Sequence, residues 1–182
     1  MSWGSKRALI RRISGSAASG LTHSPLEAER LDVRWEGDAG AVLVQLCGPS
    51  APERAASIDG EVVEDDDALW EAQRAAQRGP VVLRVSTTQS RLGDVIEAAR
   101  EHGAVCVARA AHALAWLRFE AADAELVAAL RARMGACVVL DAPAELRRAV
   151  DPWGPLAAEP LMRRIKARFD PHDILNPGLL LP

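Results

Sequence analysis

Asp65, Asp66 and Asp67 stand in a row, and adjacent carboxylates are the ligands that hard cations take. They directly precede a segment carrying Leu69, Trp70 and Gln73. At a helix start, carboxylates cap free N–H groups and face the positive end of the dipole. Capping is therefore the expected role, and no metal site is expected. Cys47, Cys106 and Cys137 each fall in an expected strand, where a free thiol behaves as a small core residue. No nearby His or cluster of bases would activate them, and without a close pair they form no disulfide framework or thiolate metal site. Glu101-His102-Gly103 closes a helix, so His102 is expected at the negative end of the dipole. No Ser-His-Asp grouping and no G-x-G-x-x-G phosphate loop can be placed. No residue is assigned a catalytic role. Two groups remain: Arg84, Trp116 and Arg118 on one expected sheet face, and Asn176-Pro177-Gly178 in a tight turn near the chain end.

The elements that position these groups follow from periodicity. Val81, Leu83 and Val85 alternate with Val82, Arg84 and Ser86, the period-two pattern of a strand. Residues 104–109 and 113–119 read as consecutive strands around a hairpin at 110–112, with Trp116 and Arg118 opposite Ala115, Leu117 and Phe119. Further strands are expected at 31–35, 41–47, 61–63 and 136–141. Leu92, Val95, Ile96 and Ala99 mark an amphipathic helix that Gly103 ends. Asp123 caps a helix carrying Leu126, Val127 and Leu130, closed by Gly135. Ser24-Pro25-Leu26-Glu27 is a capping-box helix start, and Ser50 with Glu53 repeats the pattern. Strands that alternate with helices, broken by one hairpin, predict an α+β fold: an antiparallel sheet with helices on one face.

The 182 residues suit one domain. Their 49% apolar and 26% charged content is that of an ordinary globule. A net charge of −3 points to neither a nucleic acid nor an acidic membrane. No apolar run reaches the ~18 residues of a membrane span, and a cytoplasmic location is expected. Residues 1–20 carry Lys6, Arg7, Arg11 and Arg12 and no acid. That composition fits a transit peptide or a solvated lead. A flexible basic lead is the preferred reading, with a single domain over 21–182.

The tail over 151–182 has an unusual order of parts. Pro160 suits a first helical turn. Leu161, Ile165 and Phe169 recur at four-residue spacing, and Arg163, Arg164, Lys166 and Arg168 cover much of the rest. Asp170-Pro171 stops the helix. Lys166, Phe169-Asp170-Pro171 and Leu175-Asn176-Pro177-Gly178 together resemble the C-terminus of the FAD-linked oxidases of the vanillyl-alcohol oxidase type. Val150-Asp151-Pro152-Trp153-Gly154 is similar to the FAD-binding (E-type) subunit of bacterial glycolate oxidase. Fainter similarity runs through 42–48, Ala68-Leu69-Trp70, 83–86 and Ala115-Trp116-Leu117.

The resemblance implies a ferredoxin-like cap domain, with FAD held mainly by a domain or partner chain outside this sequence. It implies a flavin-dependent oxidoreductase acting on a 2-hydroxy acid such as glycolate, with an iron–sulfur subunit as a further partner. The chain alone is expected to be inactive. Asn176, Pro177 and Gly178 would approach the cofactor, and Leu179 stands where the family has a basic residue. Arg84, Trp116 and Arg118 would face the substrate, where guanidinium forks suit a carboxylate. A related branch carries E-H-G near its active site, but here Glu101-His102-Gly103 lies too far before Phe169-Asp170-Pro171 to match, and that branch's His-rich metal motif is missing. Two other classes stay open: a stand-alone ferredoxin-like ligand-binding or oligomerisation module, and an inactive truncated oxidase fragment.

Overall fold

The computed structural model describes residues 7–13, 28–63, 66–156 and 158–178. The strands are β1 (Arg7–Ile13), β2 (Arg30–Glu36), β3 (Ala39–Leu46), β4 (Glu61–Val63), β5 (Val81–Ser86), β6 (Val105–Arg109), β7 (Leu114–Phe119) and β8 (Cys137–Asp141). The helices are α1 (Ala51–Ala56), α2 (Asp67–Ala75), α3 (Leu92–Glu101), α4 (Ala124–Met134), α5 (Ala144–Ala149) and α6 (Glu159–Phe169). The strands form one sheet in the order β4-β1-β3-β2-β6-β7-β5-β8, antiparallel at every pairing. The fold is α+β, as the alternation predicts.

The order contains a repetition. The first four strands lie fourth-first-third-second, and so do the last four when read from the far edge as β8-β5-β7-β6. Each half has the strand order of a ferredoxin-like unit, and the two meet where β2 pairs with β6. The one continuous sheet thus repeats a strand order expected once. The reason is β1, which falls inside the stretch expected to be a flexible lead. Residues 7–13 instead pair with β3 from Arg7↔Leu46 to Ile13↔Gly40, and with β4. Ladder bonds are made by backbone groups, so Arg7, Arg11 and Arg12 do not prevent pairing. The helix start expected at Ser24-Pro25-Leu26-Glu27 lies outside the described residues.

One sheet face carries the main core. Val33, Trp35, Val42, Val44 and Leu46 continue into Leu83, Val85, Cys106, Leu117 and Phe119. Helices α1, α3 and α4 close over them with Ala55, Val95, Ala99, Val127 and Leu130. Burial of such side chains stabilises by about 1.5–3 kcal/mol each. Asp123 caps α4 as expected, accepting from Leu126 N at 2.8 Å. Ser50 precedes α1 without making a side-chain cap bond.

The second face corrects the one-sided layering. Helix α2 packs there, and Ala76 just beyond it meets Val105 and Val107. Gln73 Nε2 donates to Asp32 Oδ2 at 3.3 Å. Asp66 is correspondingly no ordinary cap. Its buried carboxylate accepts from Gln45 Nε2 at 2.6 Å and from Trp70 Nε1 at 2.8 Å, with no bond to the helix N–H groups. Gln45 and Trp70 both need a partner once α2 covers them, and Asp66 is the acceptor within reach.

The sheet edge at β8 is also closed. Val139 N donates to Pro152 O at 2.8 Å. Arg131 holds the same segment, donating to Asp151 O at 2.7 Å, to Pro152 O at 3.1 Å and to Cys137 O at 3.1 Å. Gly154 sits at φ +70°, and a Cβ there would come within 2.8 Å of the Arg131 guanidinium. The Asp151-Pro152-Trp153-Gly154 motif therefore has a local job: it covers an edge that would otherwise template another strand.

Candidate functional site

The pairing of β5 with β7 sets Arg84 opposite Trp116 and Val82 opposite Arg118. The side chains of Arg84, Trp116 and Arg118 thus share the second face as neighbours, as their alternation predicts. The Arg118 stem lies over Gly79, where a Cβ would sit 2.6 Å from its Cγ. The Nε atoms of Arg84 and Arg118 are buried and have no hydrogen-bond partner. Arg118 meets Glu120 only at 4.0 Å, and Glu120 is largely exposed. Among the described residues Arg84 makes no ion pair. Unpaired N–H groups in a desolvated setting favour an anion that brings matching acceptors.

A fourth residue joins them. Arg109, at the end of β6, lays its guanidinium over the Trp116 ring at 5.1 Å from the centroid, a cation–π contact. Sequence reading missed it, although the hairpin at 110–112 already brings β6 and β7 together.

A separate groove of about 440 Å³ lies over the first half of the sheet. Ala39, Gly40, Ala41 and Leu43 of β3, Leu69 and Gln73 of α2, and Arg34 and Glu36 of β2 line it. Arg34 and Glu36 pair at its rim at 3.1 Å. Beneath α2, burial raises the Asp32 carboxyl above its ordinary range, against the lowering effect of Gln73 and Arg109.

The tail is built differently from the sheet. No residue of α6 is fully buried. Leu161 is 49%, Ile165 50% and Phe169 79% exposed, and Ile174 and Leu175 beyond them are 73% and 63% exposed. The apolar stripe seen in the sequence therefore faces outward. What folds the chain end back is a polar latch. Asp170 accepts from Lys166 Nζ at 2.8 Å, Ile174 N at 2.8 Å and Leu175 N at 2.9 Å. Lys166 Nζ also reaches Leu175 O at 2.9 Å and Asp173 at 2.6 Å. Hydrogen bonding from Lys166 holds the Asp170 carboxyl below its ordinary range, and the same bond raises the Lys166 ammonium. Asn176 then takes φ +48° and Gly178 φ +67°. The Asn176 side chain makes no hydrogen bond among the described residues. No hydrogen bond or ion pair joins Asn176, Pro177 or Gly178 to Arg84, Trp116 or Arg118.

The cysteines divide. Cys106 and Cys137 are buried in strands, and burial pushes their thiols up to about 12 and about 11. Cys47 lies one residue past β3 and is only partly buried, which corrects its expected strand position. A thiol reagent at mildly alkaline pH is therefore expected to label Cys47 first and to reach Cys106 and Cys137 only as the chain unfolds. Mass spectrometry of timed samples checks this, and early labelling of either strand cysteine would contradict it. Among the described residues no group of three or more His, Cys, Asp or Glu is placed to hold a metal. No helix among them is long and apolar enough to cross a membrane.

Residues 149–180 match the family model described as FAD linked oxidases, C-terminal domain. The matched stretch starts at the end of α5 and runs through α6, the latch and the turn. No curated protein matches the chain.

Proposed function

We propose that this chain is the cap portion of an FAD-dependent oxidoreductase acting on a 2-hydroxy acid such as glycolate, completed by a flavin-binding domain or partner chain. The observation that carries the reading is the tail. The segment that resembles the FAD-linked oxidases is also the one whose apolar side, from Leu161 to Leu175, is turned to solvent. An outward apolar stripe of that size marks a surface that another body covers. The latch and Asn176 fit the same role, since the Asn side chain offers a donor and an acceptor that no described residue uses.

In this reading the flavin, bound by the partner, supplies the redox chemistry. The residues of this chain bind and orient. Arg84 and Arg118 take the substrate carboxylate, and Trp116, across from Arg84 and beside Arg118 on the same face, excludes water. The pyrophosphate of the cofactor needs a backbone cradle that these residues do not supply, so Asn176, Pro177 and Gly178 are assigned contact with the partner or the cofactor edge. The reading does not extend to an iron–sulfur subunit, for which no observation speaks.

Mild purification of the tagged chain from its native cell tests the proposal: a yellow flavoprotein that oxidises 2-hydroxy acids is expected to travel with it. A chain that purifies as a colourless self-associated species would favour the oligomerisation module instead. Asn176→Ala is expected to weaken assembly by ~1–3 kcal/mol, the cost of leaving a partner group unpaired. It should shift chemical denaturation of the isolated chain little, because the native side chain has no bond to lose among the described residues. Unchanged partner affinity would remove Asn176 from the interface.

A further inference from the structure

The apolar stripe of α6 has a free charged border on one side only. A helix turns about 100° per residue, so Leu161, Ile165 and Phe169 form a band about 80° wide. Arg164 and Arg168, each one residue before a member of the band, run along one edge of it. Both are exposed, and neither makes a hydrogen bond or ion pair among the described residues. The other cations of the helix are committed. Lys166 holds the latch through Asp170, Asp173 and Leu175 O, and Arg163 pairs with Glu159 at 2.7 Å. Phe169, at 79%, is the most exposed large apolar side chain among the described residues. The latch fixes Ile174 and Leu175 just beyond it, so the apolar surface continues past the end of the helix.

Resting on the reading that a flavin-bearing partner covers this surface, we infer that the partner presents an apolar groove with carboxylates along one lip: α6 lies in the groove, Phe169 fills its deepest pocket, and the lip takes Arg164 and Arg168. An amphipathic helix with anchors four residues apart is read by such a groove, and a large aromatic is the usual anchor of an interface. A guanidinium drawn to an interface needs acceptors there, and a carboxylate matches its fork. A second copy of this chain fits poorly. A two-fold contact sets the same patch on both sides, so two copies of α6 would bring four unpaired guanidinium groups together, and facing like charges oppose association.

The flavin-bearing chain that copurifies with the tagged full chain is immobilised, and binding of the full chain is timed by surface plasmon resonance at low and high salt. Association is expected to slow about tenfold at high salt, because the charged border is open to solvent. Arg164→Glu combined with Arg168→Glu should slow association about tenfold at low salt and erase most of the salt dependence. Phe169→Ala is expected to speed dissociation about a hundredfold, and Phe169→Leu to recover part of the loss. Phe169→benzoylphenylalanine, irradiated in the complex, should crosslink to a peptide of the partner in which Asp or Glu adjoins apolar residues. All three positions are exposed, and an unchanged urea midpoint verifies that each variant folds. Association indifferent to salt and to the charge reversal overturns the inference. So does dissociation unchanged by Phe169→Ala, or a crosslink to a second copy or to lipid. In each of these cases a flavin-bearing chain has still copurified, so the cap reading stands. Failure of any flavin-bearing chain to copurify overturns that reading and the inference with it.

Discussion

Asp170→Ala is expected to release the chain end from α6 and to weaken assembly with a flavin-bearing partner by about tenfold or more. Its carboxylate gathers Lys166, Ile174 N and Leu175 N into one turn, and the bonds that remain, from Lys166 to Leu175 O and Asp173 and from Asp173 N to Asp170 O, lose the anion that orients them. Ile174 and Leu175 are mostly exposed, so no apolar packing takes over. The sheet should not notice, because no residue of α6 is buried in it. Hydrogen exchange at Ile174 and Leu175 is expected to accelerate while the urea midpoint of the sheet stays put. Asp170→Asn, which keeps one acceptor but loses the charge opposite Lys166, should fall between. The pH dependence follows from the two shifts. Asp170 is lowered, so its contribution is complete above the unfolded value near ~3.9 and is lost as pH falls through the lower folded value. Lys166 is raised, so its contribution is complete below ~10.4 and is lost as pH rises through the higher folded value. The latch should hold across the whole neutral range. Loosening of the tail between about pH 5 and pH 9 would falsify this account.

Gly40→Ala is expected to destabilise the chain by about 2–3 kcal/mol, an overpacking penalty at the upper end of the usual range. Gly40 is the cross-strand partner of Trp35 in the β2–β3 hairpin. A Cβ at Gly40 would run into ring carbons Cε3 and Cζ3 of Trp35. The ring has little freedom to move aside. It is 5% exposed within the main core, and its Nε1 donates to Gly37 O at 2.8 Å. The clash is specific to the ring, so a double-mutant cycle isolates it. In a Trp35→Leu background, itself destabilised, the added cost of Gly40→Ala should drop below about 1 kcal/mol. An equal penalty in both backgrounds would place the cause in the backbone instead.

The sequence is most readable where one face of an element is buried by near neighbours in the chain. The alternation from Val81 to Ser86 and the Leu92-Val95-Ile96-Ala99 spacing are such cases, and both elements stand where the pattern puts them. Arg84, Trp116 and Arg118 share a face for the same reason. The pattern fails where burial depends on distant partners. Asp66 accepts from a residue 21 positions away, and Gln73 donates to one 41 positions away. Those polar pairs let α2 cover the second face with few apolar residues. Strand β1 escaped because its basic residues imitate a solvated lead. Helix α6 shows a third limit: its Leu161-Ile165-Phe169 stripe has the same spacing whether the covering surface belongs to the chain or to another molecule.

The pairing that joins the two ferredoxin-like halves runs only from Asp32↔Arg109 to Trp35↔Cys106, shorter than the β1–β3 and β2–β3 ladders beside it. In folding terms this seam is expected to close late. Strand pairs close in sequence, β2 with β3 and β6 with β7, close small loops and form early. The seam must wait for residues about seventy positions apart to meet, a cost that rises with the loop closed. Each half can therefore acquire its own ladders before the sheet becomes continuous, and the amides of Val33 and Trp35 mark the moment at which two folding units become one.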